Sequence, residues 1–284
     1  MIPNRFEYFR PASLQEAIGL LSQYQDDAKV LAGGQSLVSL LKLRLANPKY
    51  LVDLGGIGSL SYVREEKDGK IAIGEMTPYV DIKESSLLQR LCPILPKAAA
   101  VVGDVQIRNR GTLGGSIAHA DPAGDIPAAA LALRADVKVA GPKGERWIKV
   151  EDFFQGMYAT ELAPDEILTE VRVPVLTGWK SNYIKAARRP SDFAIVGMAV
   201  CFQLGPDGTC QDIALGVTGI TDKPYRPVAA EAKLKGTKLD AKAIEAAAPA
   251  ITEGVYVTGN MHASPEFRAH LARVYLSRVI QSAS

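Results

Sequence analysis

The spacing of apolar residues over the first 55 positions predicts alternating strands and helices. A helix is expected from Leu14, because Leu14, Ala17, Ile18 and Leu21 recur at helical spacing. Ser13 is its expected N-cap. A second helix is expected over residues 36–45, ended by Asn47-Pro48. Strands are expected near 6–9, 29–32 and 50–54. This β-α-β-α-β order predicts parallel strand pairing.

After residue 55 the pattern changes to short alternating runs joined by turns. Two hairpins are expected, one around Asp68-Gly69 and one around residues 141–144. Helices are expected near 94–102 and over 127–133. A strand over 166–173 is expected to stop at Pro174.

A boundary is predicted at Leu176-Thr177-Gly178. Beyond it, three strand-like runs over 182–188, 195–204 and 212–220 precede helices near 228–234, 241–253 and 265–281. Strands followed by a group of helices indicate an α+β domain. The chain is therefore divided into residues 1–175, with subdomains of about 1–55 and 56–175, and residues 176–284.

Composition excludes several classes of protein. A net charge of +2 gives no reason to expect nucleic acid or an anionic membrane as partner. Because no apolar run approaches the roughly 18 residues of a membrane span, and because the N-terminus lacks the apolar core of a signal peptide, a cytoplasmic location is expected. Three cysteines without CxxC spacing encode neither a disulfide framework nor an iron–sulfur or zinc site.

Two glycine stretches carry the candidate chemistry. One is Ala32-Gly33-Gly34-Gln35-Ser36, and the other is TLGGSIAHADPAGD at residues 112–125. Each is expected where a buried strand leads into a helix, so that bare N–H groups form an anion-binding turn. Two such loops suit a ligand with two phosphates, although either loop alone is equally consistent with a tight turn. The dinucleotide pattern GxGxxG fails, because its third glycine position falls on Ser61.

These stretches resemble the flavin domain of the molybdenum hydroxylases, and more specifically the medium subunit of the carbon monoxide dehydrogenase type. The resemblance covers nearly the whole chain. It rests on FEYFRPASLQEAIGLL, KVLAGGQSLVSLLKLRLANPKYLVDL, VQIRNRGTLGGSIAHADPAGD and YIKAARRPSDFAIVGMAV, which follow one another in the family's order. It implies a two-subdomain FAD-binding fold of the cresol methylhydroxylase type, followed by a C-terminal α+β domain with a three-stranded antiparallel sheet and a helical bundle.

The resemblance also implies which residues hold non-covalent FAD. It places the first stretch around the pyrophosphate through Ala32, Gly33, Gly34, Gln35, Ser36 and Leu37. The second wall would consist of Thr112, Gly114, Gly115 and Ser116, where the family often has Asn at the position of Ser116. Further contacts implied are Asp125 with the flavin nucleotide, Leu168 and Phe193 beside the ring, and Lys185 as a donor to the flavin. A second interpretation of Asp125 is an N-cap of the following helix.

The resemblance implies a role without substrate chemistry of its own. FAD would pass electrons from [2Fe–2S] clusters of a small partner subunit to an external acceptor, while a large molybdopterin subunit acts on the organic substrate. A dimer of heterotrimers is expected. The sequence does not identify the substrate or the acceptor.

Two other functions compete with this one. A free-standing flavin oxidase or dehydrogenase of the same wider fold would need its own substrate cavity. A metal hydrolase would use His119, Asp121 and Asp125, but at least one ligand is missing from that set, so no metal is expected.

Overall fold

A computed structural model describes residues 2–283 and begins with a three-stranded parallel sheet. Its strands are β1 (Glu7–Phe9), β2 (Ala28–Leu31) and β3 (Tyr50–Asp53), in the order β1-β3-β2. Helix α1 (Leu14–Tyr24) begins at Ser13, whose hydroxyl accepts a hydrogen bond from the N–H of Glu16. Helix α2 (Leu37–Leu43) joins β2 to β3. Because the strands are parallel, the first glycine stretch leaves the sheet at its carboxyl edge, where ligands of such sheets commonly bind.

A five-stranded antiparallel sheet forms the second part of the chain, with the order β4-β5-β10-β6-β7. Its strands are β4 (Val63–Glu65), β5 (Lys70–Gly74), β6 (Asp136–Gly141), β7 (Gly144–Lys149) and β10 (Ile167–Pro174). A small hairpin of β8 (Phe154–Gly156) and β9 (Ala159–Thr160) precedes the last of these. The helices of this part are α3 (Tyr79–Glu84), α4 (Ser86–Leu91), α5 (Ile94–Ala100), α6 (Val105–Arg108), α7 (Leu113–His119), α8 (Asp125–Ala132) and α9 (Val150–Phe153).

The C-terminal part is a three-stranded antiparallel sheet covered by helices. Strands β11 (Lys180–Ala186), β12 (Val196–Leu204) and β13 (Cys210–Thr218) pair in chain order. Helices α10 (Val228–Leu234), α11 (Ala241–Ala247) and α12 (Pro265–Gln281) follow. The predicted helix over 241–253 ends early as an α-helix and continues as a 3-10 helix, Ala248–Thr252, because Pro249 cannot donate the helical hydrogen bond.

The parts share buried surface. The core between the five-stranded sheet and its helices includes Tyr183, Ala199 and Cys201 from the C-terminal sheet. Helix α8 lies so close to β13 that a Cβ at Gly216 would be 2.8 Å from the carbonyl carbon of Ala128. A second core joins the other face of β11–β13 to α10–α12.

The predicted α+β fold is confirmed, with the parallel first sheet and the antiparallel C-terminal sheet. One expectation is wrong: the second glycine stretch does not follow a strand. It is itself mainly helix α7, and the short helix α6 precedes it. Among the helices of residues 2–283, none is long and apolar enough to cross a membrane.

Candidate functional site

The first glycine loop presents unused hydrogen-bond donors. Gly34 has φ +75°, a left-handed conformation that glycine adopts without steric cost. Within the described chain, the main-chain N–H groups of Gly33, Gly34, Gln35 and Ser36 make no hydrogen bond. Because these residues are half-buried or exposed, their N–H groups are available to an external acceptor.

The two glycine stretches lie against each other. A Cβ on Gly33 would be 2.7 Å from the carbonyl carbon of Arg110 and 2.8 Å from the Cα of Gly111. A Cβ on Gly115 would be 3.3 Å from the Cβ of Ala32 and 2.7 Å from the hydroxyl of Thr112. These glycines therefore allow the two chain segments to approach, which is a different purpose from admitting a ligand.

The second stretch differs from the anion-binding turn expected of it. Thr112 is the N-cap of α7, and its hydroxyl accepts from the N–H of Gly115 at 3.0 Å. The N–H groups of Leu113 and Gly114 donate to the carbonyl oxygens of Thr77 and Glu75, each at 3.0 Å. Because the chain itself uses these donors, any contribution of α7 to a ligand must come from side chains and exposed surface.

The Ser116 hydroxyl lies near the Tyr79 hydroxyl beside this helix. Burial raises the pKa of Tyr79 to about 12, although the Ser116 hydroxyl lowers it, so the phenol is neutral at physiological pH. Gly115 and Ser116 are only half-buried, which leaves the surface of α7 open next to the first loop.

A buried charged cluster joins α8 to β11. The Lys185 ammonium lies 3.1 Å from the Asp125 carboxylate and 2.7 Å from the carbonyl of Val101. The Tyr183 hydroxyl donates to the other Asp125 oxygen at 2.5 Å. The Lys185 and Asp125 side chains are 5% and 6% exposed. Burial raises the pKa of Asp125, and Lys185 and Tyr183 oppose that shift. Burial also raises the pKa of Tyr183.

The N-cap interpretation of Asp125 is wrong. Gly124 is the cap of α8, and Asp125 is the first helical residue with its side chain turned to Tyr183 and Lys185. Tyr183 and Lys185 lie on the same face of β11, because residues two apart in a strand point the same way.

The two remaining residues predicted to contact the ring, Leu168 and Phe193, differ in their exposure to solvent. Leu168 is buried in β10, one residue before an irregularity in the pairing with β6. Phe193 is 66% exposed in the loop between β11 and β12. In this loop Arg188 forms an ion pair with Asp192 at 3.2 Å.

His119, Asp121 and Asp125, the candidate ligands of the metal-hydrolase alternative, do not form a metal site. Among residues 2–283, no group of three or more His, Cys, Asp and Glu side chains is placed to hold a metal ion. The His119 ring lies tilted against the Tyr158 ring with the ring centroids 4.9 Å apart, the Asp121 carboxylate accepts from the N–H of Ala123, and Asp125 is held by Lys185.

Sequence reasoning missed Tyr183 and Glu75. Tyr183 precedes Lys185 by two residues, a spacing that predicts a shared face of the strand. Glu75 continues the inward positions of Ile71 and Ile73, so an acidic residue at that register was a detectable signal.

Taken together, these residues fit a ligand that carries anionic and polar groups. The first loop offers unpaired N–H donors, α7 offers the hydroxyls of Thr112 and Ser116, and β11 and α8 contribute the buried pair of Lys185 and Asp125. This donor set suits a dinucleotide better than an apolar molecule.

Family models match both parts of the chain. Residues 4–176 match the FAD binding domain in molybdopterin dehydrogenase, and residues 181–283 match the CO dehydrogenase flavoprotein C-terminal domain.

Similar proteins match over nearly their full length. The chain is 35% identical to the glyceraldehyde dehydrogenase medium chain of Sulfolobus acidocaldarius, covering 96% of each chain. It is 37% identical to the carbon monoxide dehydrogenase medium chain of Afipia carboxidovorans, covering 100% of this chain and 98% of the relative. A solved carbon monoxide dehydrogenase from Hydrogenophaga pseudoflava, which lacks the Mo-pyranopterin moiety, superposes with a TM-score of 0.96 at 38% identity, covering 99% of this chain and 98% of that one. The chain therefore belongs to the family of FAD-binding medium subunits of the molybdenum hydroxylases, and it is an oxidoreductase subunit of the carbon monoxide and xanthine dehydrogenase type.

Proposed function

We propose that this chain binds FAD non-covalently where the first glycine loop meets helix α7. The observation that carries the proposal is the row of unpaired N–H groups at residues 33–36. The proposed contacts are Ala32, Gly33, Gly34, Gln35, Ser36, Leu37, Thr112, Gly114, Gly115, Ser116, Asp125, Leu168, Lys185 and Phe193.

These residues would act in different ways. The first loop binds the pyrophosphate through main-chain N–H groups. Thr112 and Ser116 orient the cofactor through hydroxyls, since the main-chain donors of α7 are already used. Lys185 holds a positive charge near the ring, and Asp125 limits its effect by neutralising part of that charge. Phe193 shields the ring or controls access of the acceptor.

FAD, when bound, supplies electron transfer from the [2Fe–2S] clusters of a small partner subunit to an external acceptor. We propose that a large molybdopterin subunit carries out the substrate chemistry and that the complex is a cytoplasmic dimer of heterotrimers. Medium chains named for glyceraldehyde and for carbon monoxide both match this chain over nearly their full length. This supports the proposal that another subunit determines the substrate. We also propose the functional division at residues 1–175 and 176–284.

The segment 106–110 is our proposed contact with the small subunit. Gln106 and Arg110 are exposed, and the main chain at Arg110 packs on Gly33 of the first loop. A partner bound here would therefore adjoin the cofactor.

Two measurements test the proposed function. Acid precipitation should release all flavin into the supernatant, whereas flavin retained in the pellet, or no flavin in the fresh protein, would contradict non-covalent FAD. Affinity purification from the native host should recover the large and small subunits. Recovery of this chain alone, fully active on an organic substrate, would instead favour a free-standing flavin oxidase or dehydrogenase.

A further inference from the structure

Glu75 is a buried carboxyl group at an inward position of the five-stranded sheet. It directly follows β5, in which Ile71 and Ile73 are completely buried in the core beneath the helices. Alternate strand residues face the same side, so Glu75 continues this apolar row. It is 3% exposed.

The surroundings of Glu75 link two proposed cofactor contacts. Its carbonyl accepts from the N–H of Gly114 at 3.0 Å, and its N–H donates to the carbonyl of Thr169, next to Leu168, at 3.1 Å. Its side chain lies where a side chain on Gly114 would stand, because a Cβ there would be 2.8 Å from the Cβ of Glu75. Glu75 therefore lies between the start of α7 and strand β10.

The carboxyl has no partner within the described chain. Its Oε2 atom is buried without a hydrogen bond, and no charged side chain pairs with it. The facing first turn of α7 contains Thr112, Leu113 and Gly114, none of which titrates in this range. On β10, the charged Glu170 and Arg172 pair with each other at 2.7 Å.

Such a group is costly when it has only a structural role. A buried polar atom without a partner has lost its hydrogen bonds to water and gained none in the protein. The same sheet satisfies its other buried carboxylate fully: Glu170 accepts from Tyr62 at 2.5 Å, from Arg172 at 2.7 Å and from Arg64 at 3.2 Å. The missing partner of Glu75 therefore points to an acceptor or donor that the chain itself does not contain.

We propose that the Glu75 carboxyl is a further flavin-binding group, which donates a hydrogen bond as a neutral acid to the ring system and so tunes its midpoint potential. The inference rests on the proposed binding of FAD where the first glycine loop meets α7, with Gly114 and Leu168 among its contacts. The ring carbonyls and nitrogens of a flavin are suitable acceptors for such a donor. The proton stays on the carboxyl oxygen, and no covalent bond forms or breaks.

The protonation state of Glu75 determines whether it raises or lowers the midpoint potential of the flavin. Burial raises the pKa of Glu75 to about 8, so the neutral acid predominates at pH 7. A neutral donor favours the more electron-rich form of the cofactor and raises its midpoint potential. Ionisation above about pH 8 replaces the donor with a negative charge, which lowers the potential more steeply than the cofactor's own proton uptake does.

The test compares Glu75→Gln and Glu75→Ala with wild type in the purified FAD-loaded chain or its complex. Midpoint potentials are measured by dye equilibration from about pH 6 to about pH 9. Glu75→Gln keeps a neutral donor, so it should match wild type below about pH 7 and exceed it above about pH 8. Glu75→Ala removes the donor and should lie below wild type at pH 7. Glu170→Gln is the control for loss of a buried carboxylate and should leave the pH slope unchanged.

Infrared difference spectroscopy supplies a second readout that does not depend on measured potentials. Adding FAD to the cofactor-free chain should shift a protonated carboxyl band that Glu75→Gln lacks. Equal potentials and equal slopes for wild type and Glu75→Gln, or a carboxyl band that FAD leaves unshifted, would overturn the proposal. A wild-type chain that binds no FAD would instead overturn the proposed function.

Discussion

At the scale of single residues, the glycines of the site serve two different needs. Gly34 needs its positive φ, whereas Gly33 and Gly114 are required because neighbouring chain segments occupy the place of a side chain. From the sequence alone, substitutions at the latter two would be expected to block the ligand's path while leaving a folded chain. Their contacts with Arg110 and Glu75 show that such substitutions act first on the protein itself.

Gly33→Ala should therefore destabilise the cofactor-free chain. The added Cβ would overlap the main chain at residues 110–111, and relieving such overpacking typically costs about 1–3 kcal/mol. The measurement is urea unfolding without FAD. Gly58→Ala is the control, because a Cβ there meets nothing within 4 Å. Equal stability of the Gly33→Ala chain and the control would show that the loops can separate freely.

Lys185→Met should cost stability as well as flavin potential. Removing the ammonium leaves the buried Asp125 carboxylate with only Tyr183 as partner, a change that typically costs about 3–5 kcal/mol. The added variant Asp125→Asn should restore much of this loss, because it removes the uncompensated charge. A double-mutant cycle on unfolding free energies measures the coupling, and purely additive effects would contradict a coupled pair. Lys185→Met should also lower the midpoint potential of bound flavin.

At the scale of elements, the sequence predicted those whose apolar period is regular. Helices α10 and α12 begin and end where expected, and β12 lies within its predicted run, whereas β11 and β13 each begin and end two residues earlier than predicted. Helix α7 was not predicted, because its Gly114-Gly115 pair is typical of a turn. It forms because Thr112 caps it and because Leu113 and Ile117, one turn apart, are both buried. The burial of these two side chains outweighs the low helix propensity of the glycine pair.

The candidate site shows the same division between local and long-range information. The first loop could be predicted, since a glycine pair after a parallel strand is a local signal. The partners of Asp125 could not, because Tyr183 and Lys185 lie 58 and 60 positions away and only the packing of the C-terminal sheet on α5 and α8 brings them close.

The contact between α8 and β13 gives a test at this scale. Gly216→Ala should destabilise the whole chain, because its Cβ would stand 2.8 Å from the carbonyl carbon of Ala128 and 3.1 Å from the nitrogen of Ala132. Overpacking of this kind typically costs about 1–3 kcal/mol. A single shifted thermal transition is expected, since the core beneath α8 spans both parts of the chain. A second transition that stays in place would show that the two parts unfold independently.

At the scale of the whole molecule, titratable groups make the stability of the fold depend on pH in two opposite directions. Hydrogen bonds and ion pairs lower the pKa values of Glu166 and Asp212, with Arg146 and Arg134 as the largest causes. Stability from these groups is present above their ordinary pKa and is lost as the pH falls. Glu75 has the opposite effect: its pKa of about 8 in the folded chain exceeds the ordinary value of 4.5, so the folded state binds an extra proton between these two pH values.

The cofactor-free chain should therefore lose stability as the pH rises from about 5 to about 8. A shift of this size corresponds to at most about 5 kcal/mol, since one pKa unit is about 1.4 kcal/mol. Glu75→Gln should remove most of this dependence and should exceed the wild type in unfolding free energy at pH 8. Urea titrations at several pH values decide this. A wild-type profile that rises or stays flat over the interval, with no change on substitution, would contradict it.

The two glycine stretches should differ in how fast their amide protons exchange with solvent. Amide protons of residues 34–36 have no acceptor and should exchange with deuterated solvent quickly in the cofactor-free chain, whereas those of Leu113 and Gly114 donate to buried carbonyls and should exchange slowly from the outset. FAD should slow the first set and leave the second nearly unchanged. Slowing of both sets would mean that α7 is completed only on loading. With the expected result, one wall of the site is rigid before the cofactor arrives, and the other acquires its protection from the cofactor.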